Sequence, residues 1–80
     1  MNMHFVYVLK CSDGSNYVGC TNDLEDRLTR YGQGQVLSTQ KRTPIELVAH
    51  IVFNDKYKAY SFEKYLKSGS GRAFLRKHLI

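Results

Sequence analysis

The sequence predicts an α+β domain in which a small three-stranded sheet is flanked by helices. Two runs, Phe5 to Cys11 and Ser15 to Cys20, meet at the turn Ser12-Asp13-Gly14, and a third β-rich run follows at Ile45 to Phe53. Apolar side chains fall on both faces of these runs, as a sheet covered on each side requires. Apolar residues at helical spacing follow the second and third runs.

Each element carries its own signal. Ser12-Asp13-Gly14 suits a three-residue hairpin loop in which the glycine takes the left-handed conformation and forms a bulge. That loop sets Cys11 opposite Ser15, Tyr7 opposite Gly19 and Tyr17 opposite Leu9. Tyr7 and Tyr17 then project from one face as diagonal neighbours, roughly 7–8 Å apart at the backbone, and Gly19 leaves space beside the Tyr7 ring. A two-residue turn would throw the phenols to opposite faces. In the third run, Leu47, Ala49 and Ile51 take one face and Val48 and Val52 the other. The first strand is expected at the centre of the sheet, with the third beside it.

Asn22 with Glu25 three residues on has the form of a capping box, and Leu24, Leu28 and Tyr31 make the apolar stripe of a helix that Gly32 can end. A polar loop from Gly32 to Pro44 carries Ser38, Thr39, Lys41, Arg42 and Thr43, side chains suited to phosphate oxygens. Asn54-Asp55 can cap a second helix, from about Lys56 to Lys67, with Ala59, Phe62 and Leu66 inward. Ser68-Gly69-Ser70-Gly71 stops it, and Ser70 is expected to cap a last short helix with Phe74, Leu75 and Leu79 as its apolar side.

Eighty residues make one domain, 1–80, with a thin core. Lys and Arg number 12 against 7 Asp and Glu, a net charge of +5 that favours a polyanionic partner. No apolar run reaches the roughly 20 residues of a bilayer span, and no signal peptide is recognisable at the start. A cytoplasmic location with no membrane partner is therefore expected. Cys11 and Cys20 face opposite sides of the hairpin and form no C-x-x-C pair, while His4, His50 and His78 are scattered. They read as free thiols and ordinary histidines, without zinc spacing.

Four side chains stand out as possible carriers of chemistry, and each also has a plain structural account. Arg27 borders the stripe of the first helix and could reach the tyrosine face, or it pairs with Asp23 at i−4, as Arg30 can with Asp26. Glu63 is the only carboxylate within the second helix, and it can pair with Lys67 at i+4. Tyr7 and Tyr17 fit strands well without any further role. Spacing alone leaves both accounts open.

Val6-Tyr7, Tyr17-Val18-Gly19, Thr21-Asn22-Asp23-Leu24 with Arg27-Leu28, and Phe62 through Arg72 occur in an order and spacing that resemble the GIY-YIG nuclease family. The resemblance extends over nearly the whole chain, through Ser38-Thr39 and Pro44 to Val48, and is strongest to small single-domain members. It implies a small antiparallel three-stranded sheet with flanking helices, and divalent-metal-dependent cleavage of a phosphodiester in DNA. By position it implies catalytic roles for Tyr7, Tyr17, Arg27, Tyr31 and Glu63, with Glu63 also the ligand of Mg2+ or Mn2+. Gly19 matches the signature glycine. Lys10, Gly19, Lys41, Arg42, Lys67 and Arg72 are the expected nucleic-acid contacts, with DNA the partner and RNA left open.

Physical chemistry fits this division of labour. Phosphodiester hydrolysis needs an oriented water, neutralised phosphate oxygens and help for the departing alkoxide. A phenol that ionises near ~10 in water is a poor base at neutral pH unless cations stabilise its phenolate. Lys10, Arg27 and the metal are the cations within expected reach, and either Tyr7 or Tyr17 could serve as base or water-positioning group. The chain departs from the family pattern at Phe5, in place of glycine, and at Tyr31, where many members have histidine. The nuclease module of the bacterial excision-repair incision subunit is similar in having tyrosine there. Cys20 replaces that module's lysine, and no asparagine follows Asn54. With no second domain to read a sequence, the expected substrate is branched, nicked or flapped DNA. The competing readings are a non-catalytic nucleic-acid-binding module with a decayed nuclease site and a protein-interaction domain with a vestigial site.

Overall fold

The computed structural model describes residues 3–32 and 44–80. The elements run β1 (His4–Cys11), β2 (Asn16–Thr21), α1 (Leu24–Gly32), β3 (Ile45–Phe53), α2 (Lys56–Leu66) and α3 (Gly69–His78). The three strands form one antiparallel sheet in the order β2-β1-β3, so β1 is central.

The hairpin has the expected register, with Tyr7 opposite Gly19 and Leu9 opposite Tyr17. Its loop is closed by the Cys11 N–H donating to Ser15 O at 2.9 Å and the Gly14 N–H donating to Cys11 O at 3.0 Å. Gly14 sits at φ +85°, a conformation that side chains disfavour. Asp13 Oδ1 also accepts from the Ser15 N–H at 2.9 Å, which stiffens the turn.

Alternation along β1 sorts the core into two layers. Val6 and Val8 pack with Val18, Ala59, Leu66 and Leu75 beneath α2 and α3. Tyr7 and Leu9 pack with Tyr31, Leu24 and Leu28 beneath α1. Burying a large apolar side chain is worth about 1.5–3 kcal/mol, so a central strand used on both faces is an economical way to stabilise a short chain.

Three local expectations need correction. The pairing slips between Val8, which faces Ala49, and Leu9, which faces Leu47, so Val48 is an extra residue in a β-bulge. Ile45 and Leu47 therefore join the tyrosine layer while Ala49 and Ile51 lie opposite Val8 and Val6 on the other face, and the single-face grouping of Leu47 with them fails. The cap of α1 is Asp23 and not Asn22: its Oδ1 accepts from the Asp26 N–H at 3.0 Å, while Thr21 Oγ1 accepts from the Asp23 N–H at 3.1 Å. The cap of α3 is Ser68 and not Ser70, with Ser68 Oγ accepting from the Gly71 N–H at 3.2 Å. The earlier start lets α3 follow α2 after only two residues. Asp55 caps α2 as expected, accepting from the Tyr57 and Lys58 N–H groups.

Candidate active site

The site forms along β2, an edge strand, where the two layers meet. Because Gly19 has no side chain, the Tyr7 ring lies directly over it, and its hydroxyl and ring carbon occupy the place a Cβ would take. This carries the Tyr7 phenol sideways from the central strand toward the β2 edge. There it meets Tyr31 of α1, the two hydroxyls 3.0 Å apart and their rings edge to face at 6.0 Å. Tyr17 stands on the other side of Tyr31, ring centroids 5.8 Å apart. Three phenols thus stack in the order Tyr7, Tyr31, Tyr17.

Their electrostatics differ. Burial pushes the Tyr7 phenol above its ordinary value, and Tyr17 and Glu63 add to the rise, while the bond with Tyr31 and the Arg27 charge pull it down. Burial also pushes Tyr31 far up, reinforced by its contacts with Tyr7 and Tyr17. The shared hydrogen bond eases ionisation of Tyr7 and opposes that of Tyr31, and either hydroxyl can donate it.

Arg27 and Glu63 reach the same neighbourhood from opposite layers, α1 and α2, and both charges act on Tyr7. Glu63 also acts on Cys20, where burial comes first and its charge second in pushing the thiol up. Arg27 makes no ion pair with Asp23 among the described residues, whereas Arg30 does pair with Asp26, at 3.0 Å. Glu63 accepts from Lys67 Nζ at 3.1 Å. The pairing at i+4 and the proximity to Tyr7 therefore hold together for Glu63.

Two hollows flank this centre. One, of 250 Å³, is lined by His4, Cys20, Thr21, Asn22, Arg27, Lys56 and Tyr60. The other, of 510 Å³, runs along Asn16, Tyr17 and Val18 against Lys67, Arg72 and Arg76, with Leu66 and Leu75 in its floor. Lys56, Tyr60, Glu63 and Lys67 recur at i, i+4, i+7 and i+11 of α2, so one helix face runs from the first hollow past the carboxylate into the second. The result is a cationic track with a single carboxylate near its middle.

Residues 3–77 match the family model described as the GIY-YIG catalytic domain. The chain belongs to the GIY-YIG family. It is 43% identical over 68 residues to a UPF0213 protein of Lactococcus lactis subsp. cremoris, a match covering 84% of this chain and 69% of that one. It is 35% identical over 77 residues to a UPF0213 protein of Staphylococcus saprophyticus, covering 95% and 94% of the two chains. The fold is similar to the solution NMR structure of a UPF0213 protein from Bacillus halodurans, with a TM-score of 0.60, 35% identity, and coverage of 94% of this chain and 83% of that one.

Within this GIY-YIG chain, Tyr7, Tyr17, Gly19 and Tyr31 come together at the β2 edge, and the charges of Arg27 and Glu63 act on Tyr7 there. Lys67 and Arg72 line the larger hollow. Lys10 follows Val6 and Val8 in alternation and lies on the α2 face of the sheet, opposite Asn16 of β2. Lys41 and Arg42 lie outside the described residues. Lys56 and Tyr60 were missed as site residues, although their helical spacing to Glu63 was there to be read. Tyr31 was named for its position, but its place between the two other phenols had no signal in the sequence.

The donor set limits the metal that could bind. Among the described residues no three His, Cys, Asp or Glu side chains cluster, which does not suit a closed all-protein site. A single carboxylate only 22% exposed, on a cationic track, does suit Mg2+, which keeps most of its waters and shares its remaining positions with a phosphate.

Proposed function

We propose that the protein is a divalent-metal-dependent endonuclease that hydrolyses phosphodiester bonds in DNA with low sequence specificity, and that residues 1–80 work as one domain. One observation carries this reading: three phenols, a guanidinium and a carboxylate gather where a cation-lined track crosses the sheet edge. A structural ion pair or a packing cluster would need no such meeting of chemistries from both layers.

Within this reading the track holds the sugar-phosphate backbone. Lys56 contacts it on one side and Lys67, Arg72 and Arg76 on the other. Arg27 presents a planar fork to the oxygens of the scissile phosphate, where charge grows as water attacks phosphorus. Glu63 would hold Mg2+ or Mn2+, which supplies further neutralisation of the phosphate when bound.

Of the two candidate tyrosines, Tyr17 is the better placed to orient or deprotonate the attacking water. It lines the open groove, whereas Tyr7 is 1% exposed with its hydroxyl already engaged. Tyr7 and Tyr31 then hold Tyr17 and the β2 edge in position. The leaving oxygen takes its proton from solvent.

The test is incubation of supercoiled plasmid and of a branched DNA with Mg2+ or Mn2+, comparing the protein with Glu63→Ala and Arg27→Ala. Cleavage by the protein and its loss in both variants supports the reading. Binding without cleavage under either metal transfers the assignment to a non-catalytic nucleic-acid-binding module.

A further inference from the structure

Lys67 belongs to two features at once. Its ammonium lies 3.1 Å from Glu63 Oε2, and its side chain lines the groove beside Tyr17, Arg72 and Arg76. Among the described residues, Arg72 and Arg76 make no ion pair. Lys67 is thus the groove cation already claimed by an anion.

The strength of that claim matters. A pair separated by one helical turn with a lysine 54% exposed is weak, because solvent screens it and two flexible chains must be held still. Such a contact is easily surrendered. The lysine stem is long enough to turn its ammonium from one anion to another across the groove wall.

We propose that Lys67 is an exchangeable phosphate contact: it neutralises Glu63 while the groove is empty and passes to a backbone phosphate of the nucleic acid once Glu63 is neutralised by another cation. This rests on the nucleic-acid reading above and adds to it a coupling between the carboxylate and the groove. Neutralising Glu63 removes one negative charge from the track and also frees one positive charge into it. By linkage, nucleic acid in the groove equally favours a cation at Glu63.

The coupling can be measured without metal and without cleavage. Binding of a short fluorescent DNA oligonucleotide is followed in chelator, as a function of salt, for the protein, Glu63→Gln, Lys67→Met, the double variant and Lys67→Arg with Glu63→Gln. Glutamine stands in for the neutralised carboxylate. Glu63→Gln should tighten binding, roughly 3- to 10-fold beyond its effect in the Lys67→Met background. It should also steepen the salt dependence by about one released counterion. Arginine at 67 should preserve this gain.

Equal tightening by Glu63→Gln with lysine or methionine at 67, and an unchanged salt slope, would overturn the exchange while leaving the binding groove intact. Failure of all five proteins to bind the oligonucleotide would overturn the groove assignment and the exchange together.

Discussion

The Tyr7 ring covers the Cα of Gly19 on the neighbouring strand so closely that its hydroxyl fills the volume of the missing Cβ. Gly19→Ala would therefore collide with a side chain that is itself fully buried and bonded to Tyr31. We expect a loss of about 1–3 kcal/mol, as for other overpacked cores, read as a lower midpoint in denaturant unfolding with an unchanged slope. Cleavage should fall as well, because the displaced ring disturbs the tyrosine stack.

Gly71 is a second close approach, of a different kind. A Cβ there would strike the backbone carbonyl of Tyr65, which cannot swing aside as a side chain can. Gly71→Ala should force α3 away from the end of α2, uncovering Leu66 and Leu75. A loss of roughly 3 kcal/mol or more is expected, measured by chemical denaturation.

The tyrosine stack makes stability depend on alkaline pH. Tyr7 and Tyr31 both have folded-state values raised above the ordinary phenol value near ~10, so each binds its proton more tightly folded than unfolded. Their contribution is fully present below about pH 10 and is lost as pH rises through the folded values. Unfolding midpoints should hold steady up to about pH 9 and then fall. In a spectroscopic phenolate titration of the six tyrosines, two should resist ionisation until the fold opens.

Tyr31→Phe isolates the hydrogen bond at the centre of that stack. The ring stays, but the buried Tyr7 hydroxyl loses its partner, at a cost of about 1–3 kcal/mol for an unsatisfied polar group. The alkaline fall in stability should shrink correspondingly.

Much of this arrangement was legible in residue order because local rules decide it. Gly14 fixes the hairpin loop, the loop fixes the register, and the register puts Tyr7 over Gly19. The sheet order and the apolar stripes of α1 and α2 follow from alternation and helical period in the same way. What alternation could not show is where it breaks: the bulge at Val48 is set by pairing with β1, and no glycine or proline marks it. The caps at Asp23 and Ser68 are not distinguishable by residue type from Asn22 and Ser70, which offer equivalent side chains nearby. The action of Arg27 and Glu63 on Tyr7 depends on two helices packing on opposite faces: helical spacing already put Arg27 beside the tyrosine face, and for Glu63 only the family resemblance pointed to it.

The most direct test of the central claim is single-turnover cleavage of a labelled branched DNA with Mg2+, with binding measured in parallel for the protein, Glu63→Gln and Tyr17→Phe. The account predicts that each substitution lowers the cleavage rate on the order of 100-fold or more while affinity is held or, for Glu63→Gln, improved. Cleavage by Glu63→Gln at a rate within a few-fold of the unsubstituted protein would contradict it.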